Sequence, residues 1–263
     1  MTLKNIKIYN TDCLEGLKRI PSNSVQVITG DPPYGIQYGS NEGLYARSKE
    51  GVIENYIEVP KSEYKEFSLS WIRECYRVLK DTGTIYIVSG DENLIHILNA
   101  LEEVGFVKLN HIAWSYQFGT WNGSKWITSY NIILCYVKNI KEYKFNTYCR
   151  FSKTDRLETG NSANYKDRES SWYITKEQWK GEVVTTKTKL PYKLYEKMIL
   201  YSSDPGDTVL DPFLGSGQAA IVSRDLQRKF WGFEKSPENF KFCEYRLRTK
   251  KYIISIEEWL KAG

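Results

Sequence analysis

Apolar positions recur along this chain with two alternating periods, and the alternation predicts the fold class. Residues 6–10 alternate as a short strand that stops at Thr11-Asp12. In residues 13–20, Leu14, Leu17 and Ile20 fall three apart, the spacing of one helix face. Residues 25–29 form an apolar run that ends in Gly30-Asp31-Pro32-Pro33-Tyr34. Two prolines cannot continue a hydrogen-bonded ladder, so the chain leaves the sheet at that strand's C-terminal end. Residues 35–60 hold Gly35, Gly39, Gly43 and Gly51 without periodicity and read as a long mobile loop. A helix is predicted over 62–80, with Tyr64, Phe67, Trp71, Ile72, Cys75 and Leu79 inward and Asp81-Thr82-Gly83 as its end. Next come a strand at 84–89, a helix at 91–104 closed by Gly105, and strands near 106–116 and 130–138 around the aromatic loop 117–129.

From 139 to 188 the pattern is lost, and the polar stretch 154–170 reads as an insert rather than another strand–helix unit. Order resumes with a helix at 192–202, a strand at 208–211, a Gly-rich turn at 213–217, a helix at 218–227, a strand at 229–234 and a helix at 237–249. This alternation predicts an α/β domain with a mostly parallel sheet and helices on both faces. Such sheets bind ligands beyond the C-terminal ends of their strands. Both unusual turns, 31–34 and 211–217, fall at such ends.

Composition narrows the function classes. The longest apolar run, 132–137, is too short to span a bilayer, and the N-terminus lacks the apolar block of a signal peptide, so a cytoplasmic protein is expected. The five cysteines form no Cys-x-x-Cys pair, and only two histidines are present. A disulfide framework, a zinc site or a His-based triad has little to build on, and no metal is expected. A net charge of +5 permits a polyanionic partner without demanding one. Trp114, Tyr116, Phe118, Trp121 and Trp126 sit among polar residues, where they suit base stacking as well as ordinary packing.

Two motifs carry chemistry. In Asp211-Pro-Phe-Leu-Gly-Ser-Gly217, a Gly turn joins a strand to a helix, and Glu234 ends the next strand. A carboxylate there accepts both ribose hydroxyls of a nucleoside. Asp211 would repel a pyrophosphate but suits a cationic aminoacyl group, and no P-loop pattern is present. Asp31-Pro-Pro-Tyr34 presents the Asp31 carboxylate and the Pro32 carbonyl, two acceptors for the two hydrogens of an amino group. An aromatic amine is a poor nucleophile until such acceptors draw its lone pair out of the ring. Tyr34 offers a ring on which an extracted base stacks. Taken alone, either motif is equally a structural turn.

Together, and in this order, they resemble the amino-group DNA methyltransferases of the β class, in which the catalytic motif precedes the cofactor motif as a circular permutation. The resemblance covers about residues 5–140 and 186–250. It implies a Rossmann-like, S-adenosylmethionine (SAM)-dependent methyltransferase fold with a mostly parallel seven-stranded sheet, one strand of it antiparallel. It also implies that residues 1–138 form the catalytic half, 139–188 the target-recognition insert and 189–263 the SAM-binding half. By the same resemblance, Asp12 and Cys13 contact the SAM adenine. Asp211, Phe213, Gly215, Ser216 and Gly217 surround its methionine, and Glu234 holds its ribose. Lys189, in Lys187-Thr-Lys-Leu-Pro191, belongs to the segment preceding the helix that closes over SAM, although the commoner form has Lys directly before Pro. Asp31, Pro32, Pro33 and Tyr34 form the catalytic motif, with Asp31 also next to the cofactor. Asp rather than Ser at its start leans the family toward N6 of adenine. N4 of cytosine, the same chemistry on RNA, and a non-catalytic SAM- or DNA-binding subunit stay open. Double-stranded DNA is the implied partner, read through phosphate contacts of the insert with help from loop 35–60. A homodimer and a cognate restriction endonuclease are further candidate partners.

Overall fold

The computed structural model describes residues 3–35, 59–119, 123–177, 189–251 and 254. Most of the predicted loop 35–60, together with Trp121 and Lys187-Thr188, lies outside them. Strands β1 (Ile6–Asn10), β2 (Val25–Gly30), β3 (Leu79–Ser89), β4 (Val107–Ser115), β5 (Tyr130–Val137), β6 (Ser171–Tyr173), β7 (Thr208–Asp211) and β8 (Lys229–Glu234) form one sheet in the order β1-β8-β7-β2-β3-β5-β4-β6. β5 runs against both its neighbours, and every pairing without it is parallel.

The pleat sends alternate residues of each strand into two cores. Ile28, Ile85, Ile87 and Leu210 pack with Leu17, Trp71, Ile72 and Leu101. These come from helices α1 (Cys13–Lys18), α2 (Tyr64–Val78) and α3 (Leu94–Val104). Val27, Tyr86, Val88 and Val209 face the other way, onto Leu194, Met198, Ile221 and Leu247. The short helix α4 (Ala163–Asp167) lies in the insert, and the second layer consists of α5 (Tyr192–Ser202), α6 (Gln218–Asp225) and α7 (Pro237–Thr249). Each fully buried aliphatic side chain contributes about 1.5–3 kcal/mol, so the two faces hold the strand ends, and the turns on them, in fixed register.

Three expectations are corrected. The sheet has eight strands rather than seven, because the insert supplies β6, which pairs with Ala113, Trp114 and Ser115 of β4. Three residues are too few to show a period of two. Residues 81–83 do not end a helix; α2 stops at Val78, and they lie inside β3. Thr82 is caught there by Gln26, whose Nε2 donates to the Thr82 carbonyl at 2.8 Å and whose Oε1 accepts from the Thr82 hydroxyl at 3.0 Å. That long-range pairing overrides local turn chemistry. Trp114 and Tyr116 are buried core residues, not exposed stacking platforms, whereas Phe118 and Trp126 are exposed.

The insert is fastened to α5 rather than loosely tethered. Asp167 Oδ2 accepts from the Tyr201 hydroxyl at 2.6 Å and forms an ion pair with Arg150, whose Nε lies 3.1 Å away, and Lys197 Nζ lies 3.3 Å from its other oxygen. Trp172 is buried under the same ammonium, 4.5 Å from the ring centroid. Among the described residues no helix is long and apolar enough to cross a membrane.

Candidate active site

A cavity of about 540 Å³ opens at the C-terminal ends of β1, β2, β7 and β8. Its wall is assembled from loops that each leave a strand end. Asp12 and Cys13 follow β1, Asp31 and Pro33 follow β2, Phe213, Gly215 and Ser216 follow β7, and Glu234 ends β8; Lys189 completes the wall before α5. Nine of the sequence-predicted residues thus meet on one surface. Pro32, Tyr34, Asp211 and Gly217 stand behind or beside that wall rather than on it.

Local sequence explains the turn after β7. Gly215 and Gly217 have φ of 53° and 85°, backbone that L side chains rarely adopt. At Gly217 a Cβ would also lie 2.2 Å from Cys243 Sγ, so α7 can pack this closely only against a glycine. Arg246, fully buried on α7, donates from Nη1 to the Ser216 carbonyl at 2.6 Å and ties the turn to the helix. The Phe213 ring stands edge-on to Trp71, with centroids 5.1 Å apart.

The electrostatics of the wall are acidic. Asp211 is wholly buried; its Oδ1 accepts from the Phe213 N–H at 2.9 Å, and its Oδ2 has no hydrogen-bond partner. Burial pushes this carboxyl up to about 8, the Phe213 N–H opposes the shift, and the charges of Asp31 and Glu234 add to it. The nearby Thr29 hydroxyl helps to hold it down without forming a well-made hydrogen bond. Glu234 is also pushed up by burial and held back by backbone donors. The Ser236 N–H reaches Oε1 at 2.7 Å and the Gly215 N–H reaches Oε2 at 2.8 Å. The Asn239 side chain and the Lys235 N–H are further donors to this carboxylate, which faces the cavity.

The 31–34 turn is braced on all sides. The Tyr34 hydroxyl donates to Asp31 Oδ1 at 2.8 Å. The Pro33 carbonyl accepts from the Tyr64 hydroxyl at 2.7 Å, and the Tyr34 carbonyl accepts from Asn93 Nδ2 at 2.8 Å. Pro32 is buried.

A family model for N6/N4 DNA methylases matches residues 25–244, which includes both turns. The chain belongs to this family. Among curated relatives of the methylase, it is 30% identical to the type II methyltransferase M.HpaI of Haemophilus parainfluenzae, over 97% of the chain and 78% of that protein. It is 31% identical to the type II methyltransferase M.HinfI of Haemophilus influenzae, over 93% of the chain and 68% of that protein. Its fold is that of the PvuII DNA methyltransferase, described as cytosine-N4-specific, with a TM-score of 0.71 and 19% identity over 92% of this chain and 86% of that one. A Thermus thermophilus protein described by its sequence as a DNA modification methylase, solved with SAM, gives a TM-score of 0.67 at 23% identity over 95% of this chain and 96% of that one.

The structure adds residues to the methylase site that the motifs do not name. Ser236 and Asn239 line the cavity from the first turn of α7, where the Ser236 side chain accepts from the Asn239 N–H. Ser236-Pro237 directly after a strand is a helix-start signature at a ligand-binding strand end, so the sequence held a signal for them. Gln218 and Tyr195 also line the cavity, and no sequence spacing marks either.

Proposed function

We propose that this methylase transfers a methyl group from SAM to the N6 amino group of adenine in a base flipped out of double-stranded DNA. The place of Asp31 supports this most directly. Its carboxylate lies on the cavity wall at the C-terminal end of β2, with one oxygen fixed by Tyr34.

The residues fit SAM. The cavity volume of about 540 Å³ lies within the usual range for small-ligand pockets. The buried, unpartnered Oδ2 of Asp211 lies behind the 212–216 turn and suits the ammonium of the methionine part once the carboxyl, protonated at neutral pH by its raised pKa, gives up its proton. Glu234 faces the cavity for the ribose hydroxyls, Asp12 and Cys13 border the adenine, and Phe213 borders the methionine part. When bound, SAM supplies an electrophilic methyl group on a sulfonium sulfur.

The chain's own residues act on the amine. Asp31 accepts one N–H of the target amino group and the Pro32 carbonyl accepts the other, which localises the nitrogen lone pair for direct in-line displacement. These bonds strengthen as positive charge grows on the nitrogen, so they act on turnover more than on binding. Tyr34 stacks on the extracted base. Asp at the first position of the turn supports adenine over cytosine. The cytosine-N4-specific structural neighbour keeps N4-cytosine as the second reading. Nucleoside mass spectrometry of methylated DNA separates the two, and parallel assays on RNA test the remaining alternative.

DNA engagement uses the same end of the sheet. Register places Ser115 opposite Tyr130 and Tyr173, so the exposed side chains of Phe118, Trp126, Tyr130 and Tyr173 gather near the C-terminal end of β4. Exposed Lys153, Arg156, Lys166 and Arg168 of the insert serve phosphate contacts. The type II description of both curated relatives supports a restriction endonuclease as the cognate partner.

A further inference from the structure

The Asp31–Tyr34 hydrogen bond is the last link of a longer chain that starts on the other side of the sheet. Asn131, at the start of β5, donates from Nδ2 to the Tyr34 hydroxyl at 3.2 Å. Tyr116, just past β4 and buried, donates its hydroxyl to Asn131 Oδ1 at 2.9 Å. Lys176 of the insert lies 3.6 Å from the Tyr116 ring centroid. Its backbone is clamped to Gln117 by two hydrogen bonds, of 3.0 and 2.9 Å.

The direction of every bond is set by its end. A carboxylate only accepts, so Tyr34 must give its one proton to Asp31. The Tyr34 oxygen can then only accept from Asn131, which fixes the amide with Nδ2 toward Tyr34 and Oδ1 toward Tyr116. Tyr116 must therefore donate, to Asn131 Oδ1 at 2.9 Å with the Tyr130 carbonyl as a longer second acceptor at 3.3 Å. A single orientation satisfies all four groups, and donors aligned in one direction polarise one another. The result is an oriented brace on Oδ1 of Asp31, which fixes the plane in which the carboxylate meets the amine.

We propose that Asn131 and Tyr116 are positioning residues for amine methylation, holding the Asp31 carboxylate in its reactive rotamer through the Tyr34 hydroxyl. The inference rests on the reading of Asp31 given above. Neither residue touches the target base. Their effect falls on the rate of methyl transfer, because a carboxylate free to rotate samples the productive geometry less often. The insert touches the brace at its far end, where the Lys176 ammonium packs on the Tyr116 ring, so the segment assigned to DNA contacts and the acceptor for the amine are in physical contact through it.

The test is methyl transfer from labelled SAM to unmethylated genomic DNA, with turnover at saturating DNA compared across Asn131→Ala, Asn131→Asp, Tyr116→Phe and Tyr34→Phe. Asn131→Asp keeps the shape and removes the donor, and Tyr116→Phe keeps the ring packing. Tyr34→Phe is expected to lose turnover by on the order of tenfold or more, the worth of one hydrogen bond to a charged group, and the Asn131 and Tyr116 variants by roughly three- to tenfold, the worth of one between neutral groups. SAM affinity should stay within about twofold, which also certifies the fold. Because Asn131 acts through the Tyr34 hydroxyl, adding Asn131→Ala to Tyr34→Phe should lower turnover no further. Losses that multiply in the double variant, or wild-type turnover in Asn131→Asp, would overturn the proposal. Asp31→Ala separates the two levels. Wild-type turnover there removes the underlying reading, whereas an inactive Asp31→Ala with multiplying Asn131 and Tyr34 losses removes the brace alone.

Discussion

Replacing Gly217 with alanine tests whether the turn behind the cavity is as constrained as its geometry indicates. Two penalties superpose. The φ of 85° lies in the left-handed region, where an L side chain costs about 1–2 kcal/mol. The new Cβ would also stand 2.2 Å from Cys243 Sγ and 3.1 Å from Cys243 Cβ, so either α7 or the turn must move. Overpacking of a tight core costs about 1–3 kcal/mol. The Arg246 bond to the Ser216 carbonyl ties α7 to the same turn, which resists that movement and passes it to the cavity wall. Gly217→Ala should therefore lose about 2–5 kcal/mol in urea unfolding and should also weaken SAM binding by calorimetry. In a Cys243→Ala background the 2.2 Å contact with Sγ disappears, while the 3.1 Å contact with Cβ and the backbone strain stay, so the two substitutions should couple favourably by about 1–3 kcal/mol. A Gly217→Ala protein that unfolds at the wild-type midpoint and binds SAM normally would refute this account of the turn. A loss undiminished by Cys243→Ala would refute the clash component.

Glu234→Ala should weaken SAM binding by about 1.5–3 kcal/mol, the loss of charge-assisted hydrogen bonds, with the fold intact by circular dichroism. Asp211→Asn keeps an acceptor for the Phe213 N–H and removes the buried acid. With its carboxyl raised from 3.8 to about 8 in the folded state, wild-type stability from this group is fully present below about pH 4 and is lost as pH rises toward 8. The variant should flatten that slope in urea titrations and bind SAM less tightly, and SAM binding to the wild type should release a proton between those limits. Substituting Lys153, Arg156, Lys166 and Arg168 together with Gln should weaken DNA binding on every sequence. The slope of log affinity against log salt should shrink by roughly 0.9 for each phosphate that is no longer neutralised. Deleting the insert is the poorer test, since it carries β6, buried Trp172 and the Asp167 contacts to α5.

Where local signals agreed, the sequence located elements closely. Helix α5, strands β7 and β8, and helix α7 begin and end where periodicity, Gly and Pro place them. Both motifs were legible because glycine and proline leave marks in sequence that backbone geometry requires. What stayed hidden depends on contacts between distant segments. β6 exists because β4 offers an edge, and residues 81–83 are extended because Gln26 holds Thr82. Asn131 and Tyr116 gain their place only when β4 and β5 pair, and Arg246 reads as one more charged position on an amphipathic helix until its burial against Ser216 is seen.

The most direct test of the central claim is nucleoside mass spectrometry of unmethylated genomic DNA after incubation with SAM and either the wild-type protein or Asp31→Ala. The account predicts N6-methyladenine from the wild type. Asp31→Ala should be reduced by roughly 10²–10³ in turnover, the scale for losing one preorganised group that stabilises developing charge, while its calorimetric affinity for SAM changes little. N4-methylcytosine as the product would contradict the adenine assignment. Undiminished N6-methyladenine from Asp31→Ala would contradict the role given to the 31–34 turn.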